Sequence, residues 1–318
     1  MNRIKLLTTT LTIGLLVLMG ILYQPDLPVQ DVDTKYSNET SRFLTLTNGN
    51  RIHYRDQGNP SSRAIILIHG FTSSLHTWEG WVALLKKEFR LITLDLPGHG
   101  LTGAVTNNDY STRSINETIK GVADALSLDT FVLGGNSMGG GATWQFALTY
   151  PERVSHMILI NSVAPWSEED NERTNRRNNP FTPLEWKWFR GIAEYINPKY
   201  FIKRGLKSAY NNAPILDEDL IDRYLEMMLR DGTRTAIFEQ MAQRRISPLV
   251  SGELQTLTQP TLVIWGALDA LIPLAVGKRF IEELPNASLI VHPELGHIPM
   301  EEDPSQTVID VQSFLSNN

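Results

Sequence analysis

The 318-residue sequence contains no cysteine and has no excess of positive charge. Without cysteine, the chain forms no disulfides, thiolate metal sites or cysteine nucleophiles. The formal net charge of -6 provides no basic surface of the kind that neutralises phosphates, so nucleic acid is not an expected partner. Hydrophobic residues make up 42% and charged residues 20% of the chain, which excludes a disordered or polytopic membrane protein.

Long apolar runs are also scarce, and only one stands out, at residues 6–23. Its 18 uncharged residues would reach about 27 Å as a helix, close to the roughly 30 Å of a bilayer core. We therefore predict a single transmembrane helix in an N-terminal anchor, residues 1–23. Arg3 and Lys5 precede the run and orient the N-terminus to the cytoplasm, which leaves the body outside. The alternative is a cleaved secretion signal, but no small-x-small cleavage site follows the run.

The same run contains small residues spaced four apart, among them Thr8 and Thr12. Such spacing lets two membrane helices approach closely, which would permit a homodimer. Residues 24–40 then read as a juxtamembrane linker.

The body alternates short apolar runs with helical segments. Around Asn48-Gly49 the chain alternates apolar and polar residues, as in a β-hairpin. Runs that are apolar throughout are typical of parallel strands covered by helices on both faces. These runs lie at residues 64–68, 90–96, 130–135, 156–163 and 261–266. The fold class is therefore α/β, with a mostly parallel, doubly wound sheet.

The strand signal stops for nearly a hundred residues after the run at 156–163, and helical patterns replace it. We predict a helical cap or lid at residues 164–249, inserted between a first core part at 41–163 and a second at 250–318. Helical inserts at the carboxyl edge of a parallel sheet commonly cover the binding crevice, since ligands bind at that edge. An ordinary helical subdomain with no role in access is the alternative.

One motif predicts a nucleophile. The segment from Gly135 to Gly139 has the G-x-S-x-G pattern and lies between a predicted strand and a predicted helix. In such a turn the central Ser137 takes a strained conformation that exposes its hydroxyl, and the helix N-terminus behind it favours negative charge.

A serine hydroxyl needs a base, and the base needs an orienting carboxylate. Asp269 follows the strand at 261–266 and is the only acid in its loop. His297 follows the next predicted strand, at residues 287–293, so both residues are expected at the same sheet edge as Ser137. The chain order Ser, Asp, His belongs to α/β-hydrolases.

An oxyanion intermediate requires two N–H donors. The first is expected from Met138, directly after the nucleophile, and the second from Phe71, which follows the strand at 64–68. His69, two residues before Phe71, is interpreted as a loop organiser.

The motifs HGF, DLPGHG, GNSMGG, LDALIP and GHIPM resemble the α/β-hydrolase superfamily in order and spacing. With the N-terminal apolar segment, the chain is similar to bacterial family V lipases and membrane-anchored esterases or phospholipases A. The resemblance implies Ser137 as nucleophile, His297 as base, Asp269 as orienter, and the N–H groups of Phe71 and Met138 as oxyanion donors. It further implies a single-pass location in the bacterial inner membrane, with the catalytic domain facing the periplasm or exterior.

These observations predict a serine hydrolase of carboxylic esters, such as lipid esters, with no cofactor and no metal. Trp166 and Trp188, in the aromatic-rich cap, are candidate substrate-binding residues. Two alternatives remain open: a carbon–carbon bond hydrolase of ring-cleavage products, and a non-catalytic hydrolase-like binding protein.

Overall fold

A computed structural model describes most of the chain, and the fold is stated for those residues alone. They are residue 20 and residues 22–165, 191, 194–211, 214–243 and 253–317.

Eight strands form one sheet in the order β1-β2-β4-β3-β5-β6-β7-β8. They are β1 (Ser41–Thr45), β2 (Arg51–Gln57), β3 (Ala64–Ile68), β4 (Arg90–Leu94), β5 (Phe131–Asn136), β6 (Val154–Ile160), β7 (Thr261–Gly266) and β8 (Ala287–His292). The hairpin strands β1 and β2 run antiparallel, and all pairings from β4 to β8 are parallel. The predicted mostly parallel α/β sheet is thus confirmed.

The helices pack on both faces of this sheet. Those of the core are α2 (Glu79–Leu85), α3 (Thr112–Ala125), α4 (Met138–Thr149), α8 (Leu274–Glu283), α9 (Pro299–Glu302) and α10 (Pro304–Asn317). Helix α3 begins at Thr112, because the Ser111 side chain accepts a hydrogen bond from the Ser114 N–H and caps the helix.

Alternating residues of the central strands pack into two separate hydrophobic cores, one on each face of the sheet. In β3, Ile66 and Ile68 belong to the core that includes Trp144 of α4. Ile65 and Leu67 belong to the opposite core, with Trp81 of α2. Because strand side chains alternate between faces, each central strand must be apolar throughout, which explains the uninterrupted runs in the sequence.

Between β6 and β7 the described residues form helices α5 (Lys199–Ala209), α6 (Glu218–Leu229) and α7 (Thr233–Gln243). Helix content is what the sequence predicts for the cap, whose exact limits at 164 and 249 stay predictions. The cap helices pack into the core on the α2 side through Leu206, Ile221 and Tyr224.

The segment predicted as a linker is partly helical and lies against the cap. Helix α1 (Val29–Tyr36) carries Asp33, which pairs with Arg230 at 2.8 Å, and Asp26 pairs with Arg234. The Leu27 N–H donates to the Leu229 carbonyl at 2.6 Å. These contacts join the N-terminal part of the body to the end of α6 and the start of α7.

The predicted membrane span at 6–23 falls almost entirely outside the described residues. Among the residues described, no helix is both long and apolar enough to cross a bilayer.

Candidate active site

Ser137 stands at the sharp turn between β5 and α4. Its backbone φ is 55°, in the left-handed region that a serine rarely adopts. A Cβ on Gly135 would collide with the Gly139 carbonyl, and a Cβ on Gly139 would collide with the carbonyls of Ile68 and His69. Both glycines of the motif are therefore required by close backbone contact, as the pattern predicts.

His297 and Asp269 meet beyond the ends of β8 and β7. The His297 ring Nδ1 lies 2.7 Å from Asp269 Oδ2, and both side chains are buried. The other oxygen, Oδ1, accepts the backbone N–H groups of Leu271 at 2.7 Å and Ile272 at 2.9 Å. These bonds fix the carboxylate, and the carboxylate in turn fixes the orientation of the imidazole.

Two forces act on the Asp269 carboxyl. Burial by itself raises its pKa, but the His297 ring, the Ile272 N–H and the Asn161 amide all favour the ionised form, and the pKa ends below its ordinary value. Asp269 is therefore ionised at neutral pH, as an orienting carboxylate must be.

Two asparagines that sequence reasoning missed tie these parts together. Asn161, just beyond β6, donates from Nδ2 to Asp269 Oδ2 at 2.6 Å and accepts the Gly266 N–H at 3.2 Å. Asn136, directly before Ser137, donates from Nδ2 to the His297 carbonyl at 2.9 Å. The available signal was a polar residue at the carboxyl end of an otherwise apolar strand.

The expected oxyanion donors lie on either side of Ser137. Met138 is the first residue of α4, whose first-turn N–H groups have no partner within the helix. Phe71 lies in the loop after β3, and a Cβ on the preceding Gly70 would be 3.3 Å from the Ser137 Cβ. The loop that carries Phe71 thus passes directly beside Ser137.

His69 is buried and bound to the backbone through both ring nitrogens. Its Nε2 accepts the Leu96 N–H at 3.0 Å, so Nδ1 carries the proton and donates to the Gly70 carbonyl at 2.7 Å. Burial lowers its pKa and keeps the ring neutral. This geometry is that of a loop organiser.

Within the described residues, the Ser137 hydroxyl and the His297 ring are not in direct hydrogen-bond contact. Catalytic hydrogen bonds are often long before substrate binds.

Trp166 and Trp188, the candidate substrate-binding residues of the cap, lie outside the described residues. In the described part of the chain, no three His, Asp or Glu side chains converge as metal ligands would.

The chain belongs to the alpha/beta hydrolase fold family, because the family's model matches residues 63–304. The fold and the family together define the class of protein: an α/β hydrolase. A non-catalytic binding protein is less well supported than a hydrolase, since Ser137, Asp269 and His297 are all present.

Relatives within this class carry different activities. A 2-hydroxy-6-oxononadienedioate/2-hydroxy-6-oxononatrienedioate hydrolase of Paraburkholderia phymatum is 29% identical over 84% of this chain and 92% of its own length. The same name recurs among other relatives. Lipase 1 of Psychrobacter immobilis is 26% identical over 86% of this chain and 84% of its own.

Solved structures divide in the same way. A meta-cleavage product hydrolase from Pseudomonas fluorescens has a TM-score of 0.73 and 26% identity, covering 87% of this chain and 97% of its own. A membrane phospholipase A described as a bacterial virulence factor has a TM-score of 0.69 and 26% identity, covering 100% of this chain and 99% of its own.

Proposed function

We propose that the protein hydrolyses an acyl compound through a covalent Ser137 intermediate. The observation that carries the proposal is the buried 2.7 Å contact between His297 and Asp269 beside a serine held at a φ of 55°. His297 accepts the Ser137 proton at Nε2 while the serine oxygen attacks the substrate carbonyl. Asp269 holds the Nδ1 proton and stabilises the imidazolium.

The oxyanion of the tetrahedral intermediate accepts the N–H groups of Phe71 and Met138. His297 then donates its Nε2 proton to the leaving group, which departs and leaves an acyl-Ser137 ester. A water molecule, deprotonated by His297, attacks this ester. Collapse of the second tetrahedral intermediate returns the proton to Ser137 and releases the acid.

Carboxylic esters, including lipid esters, are the substrate class we propose first. Support comes from the phospholipase A similarity, which extends over the whole chain, and from the lipase relative. A second support is electrostatic: among the described cap residues, the largely buried Arg223, Arg230 and Arg234 are each paired with a carboxylate. Those arginines are thus already engaged, whereas a dioate substrate would need cations to neutralise two carboxylates.

Carbon–carbon hydrolysis of a ring-cleavage product is the second candidate. More of the relatives carry this activity in their names than carry an ester activity, and in that respect they favour it over our first expectation. The same Ser137, His297 and Asp269 would serve either reaction, since both break a bond to an acyl carbon.

A direct comparison of substrates tests the choice. We expect the purified protein to hydrolyse p-nitrophenyl butyrate and a monoacylglycerol with a higher kcat/KM than a 2-hydroxy-6-oxo-dienedioate. A preference for the dioate would replace the ester proposal with the carbon–carbon one. If Ser137→Ala retained wild-type activity on whichever substrate is cleaved, the common mechanism would be wrong.

We further propose that residues 1–23 anchor the protein in the bacterial inner membrane, with the body facing the periplasm or exterior and a membrane lipid as substrate. The support is the uncharged run at 6–23 and the full-length similarity to a membrane phospholipase A. Pairing of two such helices would give a homodimer. Sequencing the N-terminus of the mature protein in the membrane fraction tests the anchor; a chain beginning near Gln24 in the soluble fraction would indicate a cleaved signal.

A further inference from the structure

The backbone N–H groups at His297 and at its two neighbours all make hydrogen bonds. The Gly296 N–H donates to Glu302 Oε2 at 2.8 Å, and the Ile298 N–H donates to Glu302 Oε1 at 3.1 Å. Between them, the His297 N–H donates to the Ala209 carbonyl at 2.7 Å. Three consecutive N–H groups are therefore bound, two of them by one carboxylate.

This carboxylate lies on the element that follows the histidine. Glu302 is the last residue of α9, and its own N–H donates to the Ile298 carbonyl at 3.0 Å. Its side chain folds back so that Oε1 lies close to the Cα of Gly296, where a Cβ would be 3.1 Å away. The side chain thus spans the loop from one side of the histidine to the other.

Charge accompanies this geometry. Among the described residues, two carboxylates interact electrostatically with His297: Asp269, from the loop after β7, and Glu302, from α9. The neighbouring acid of α9, Glu301, is engaged elsewhere, by the Tyr210 hydroxyl at 2.7 Å and by Arg223. Burial, together with the Asp269 charge, raises the pKa of Glu302 above its ordinary value, and the bonds from Gly296 and Ile298 and the charge of His297 limit this rise.

We propose that Glu302 is a positioning residue for the reaction: it holds the backbone on both sides of His297, and its charge stabilises the imidazolium that forms when His297 takes the Ser137 proton. Asp269 orients the imidazole ring of His297, and Glu302 fixes the position of the main chain that carries it. This inference rests on the proposed function of Ser137 and His297.

The variant Glu302→Gln removes both contributions. An amide offers one oxygen to the two N–H groups and turns an NH₂ toward the other, while the negative charge is lost. In the full-length protein we expect kcat for p-nitrophenyl butyrate to fall about 10- to 100-fold, since a misplaced catalytic group costs up to that much. KM should stay within about threefold, because Glu302 binds backbone and not substrate.

The pH profile separates positioning from a merely structural role. Loss of a nearby negative charge should move the acid limb of kcat, which reports protonation of the base, to lower pH by about half a unit to one unit. Glu302→Asp keeps the charge but is one methylene shorter, so it should lower kcat and leave the limb unmoved. Glu294→Gln is the matched control: it makes the same charge change on an exposed residue near His297 and should change neither quantity.

A nuclear magnetic resonance titration keeps this test independent of the substrate. In a Ser137→Ala background, with the His297 signal assigned by its loss in His297→Asn, Glu302→Gln should lower the pH midpoint of the ring resonance. A wild-type midpoint and limb, or a kcat within twofold of wild type, would overturn the proposal. If Glu302→Gln does not fold, Glu302→Asp replaces it in the test, and a wild-type kcat in Glu302→Asp would overturn the proposal. Hydrolysis of no ester would contradict the proposed function but leave this midpoint measurable.

Discussion

Two places in the described part of the chain combine a serine, a histidine and an aspartate, and the His–Asp distance is the same in both. In the site described above, His297 Nδ1 lies 2.7 Å from Asp269. On the antiparallel side of the sheet, His53 Nδ1 lies 2.7 Å from Asp95, and His53 Nε2 lies 2.9 Å from the Ser41 hydroxyl. In both, the carboxylate also accepts two backbone N–H groups; for Asp95 these belong to Leu75 and Leu101.

The serines differ where the histidines and carboxylates agree. Ser41 lies at the start of strand β1, and its oxygen accepts the Asn38 N–H at 3.1 Å and the Arg55 Nε–H at 3.4 Å. With its proton directed to His53, both lone pairs are occupied. Ser137 stands instead at a strained turn before a helix, and its hydroxyl makes no hydrogen bond to another described residue. On the proposed mechanism, a serine, a histidine and an aspartate are therefore not sufficient, because the nucleophilic serine must also keep a free lone pair near oxyanion donors.

Exchanging each serine for alanine should give the largest contrast. Ser137→Ala should lower kcat for p-nitrophenyl butyrate by about 10⁴- to 10⁶-fold, because the covalent path is lost. Ser41→Ala should keep kcat of the folded protein within about threefold, since the lost hydrogen bond affects mainly stability. Steady-state kinetics on both variants, with the folded fraction measured by circular dichroism, checks this. A large loss of kcat in Ser41→Ala alone would reverse the assignment.

The carboxylates should separate activity from stability. Asp269→Asn should lower kcat by about 10⁴-fold, because the amide favours the wrong imidazole tautomer. Asp95→Asn should instead lower the free energy of unfolding by about 2–5 kcal/mol, because an amide cannot accept all the donors that surround Asp95. Urea denaturation and kcat, measured on both proteins, test the contrast. Equal losses of kcat in the two variants would contradict it.

Acid should lower the stability of the protein through two buried histidines, His76 and His99, that belong to neither arrangement. Burial, aided by the Arg55 charge, lowers the pKa of His76 to about 4, and burial lowers that of His99 to about 3. Since an unfolded histidine takes up its proton near pH 6.5, the unfolded state binds more protons between about pH 6.5 and these values. The free energy of unfolding should therefore fall as pH drops below about 6.5, by up to about 1.4 kcal/mol per pH unit for each histidine.

Urea denaturation from pH 7 to 4 measures this slope, and the variant His76→Gln should reduce it. The comparison must be made against the wild-type protein, because carboxylates also titrate at the acid end. An unchanged slope in the variant would exclude His76 as a source.

The smallest expected effect concerns the amide that holds Asp269. Asn161→Ala removes the 2.6 Å hydrogen bond to Asp269 Oδ2 and should lower kcat about tenfold, since a hydrogen bond to a charged group contributes roughly 1.5 kcal/mol. Asn59→Ala, in an exposed loop, is the control. If Asn161→Ala hydrolyses esters at the wild-type rate, the bonds from Leu271 and Ile272 are enough to fix the carboxylate.

Much of the fold was predictable because each central strand is buried on both faces. An element covered on both sides must be apolar throughout, so β3, β5, β6 and β7 are visible as runs. The turn at Ser137 was predictable from the G-x-S-x-G pattern, since close backbone contacts leave room only for glycine at 135 and 139. The contacts of Gly135 lie within the turn, whereas those of Gly139 are with the carbonyls of Ile68 and His69. Helix α1 was not predicted: its ion pair to Arg230 joins residues 197 apart in the chain.

The sequence by itself determined the sheet, the elbow at Ser137 and the order in which Asp269 and His297 follow it. Those features depend on burial patterns and turns of a few residues, which leave a local signature. Only the tertiary structure decided that the Ser41 oxygen accepts hydrogen bonds from Asn38 and Arg55, and that Glu302 accepts hydrogen bonds from the residues on both sides of His297. Such hydrogen bonds depend on where a donor or acceptor distant in the sequence is placed and how it is oriented. Neither composition nor spacing contains that information.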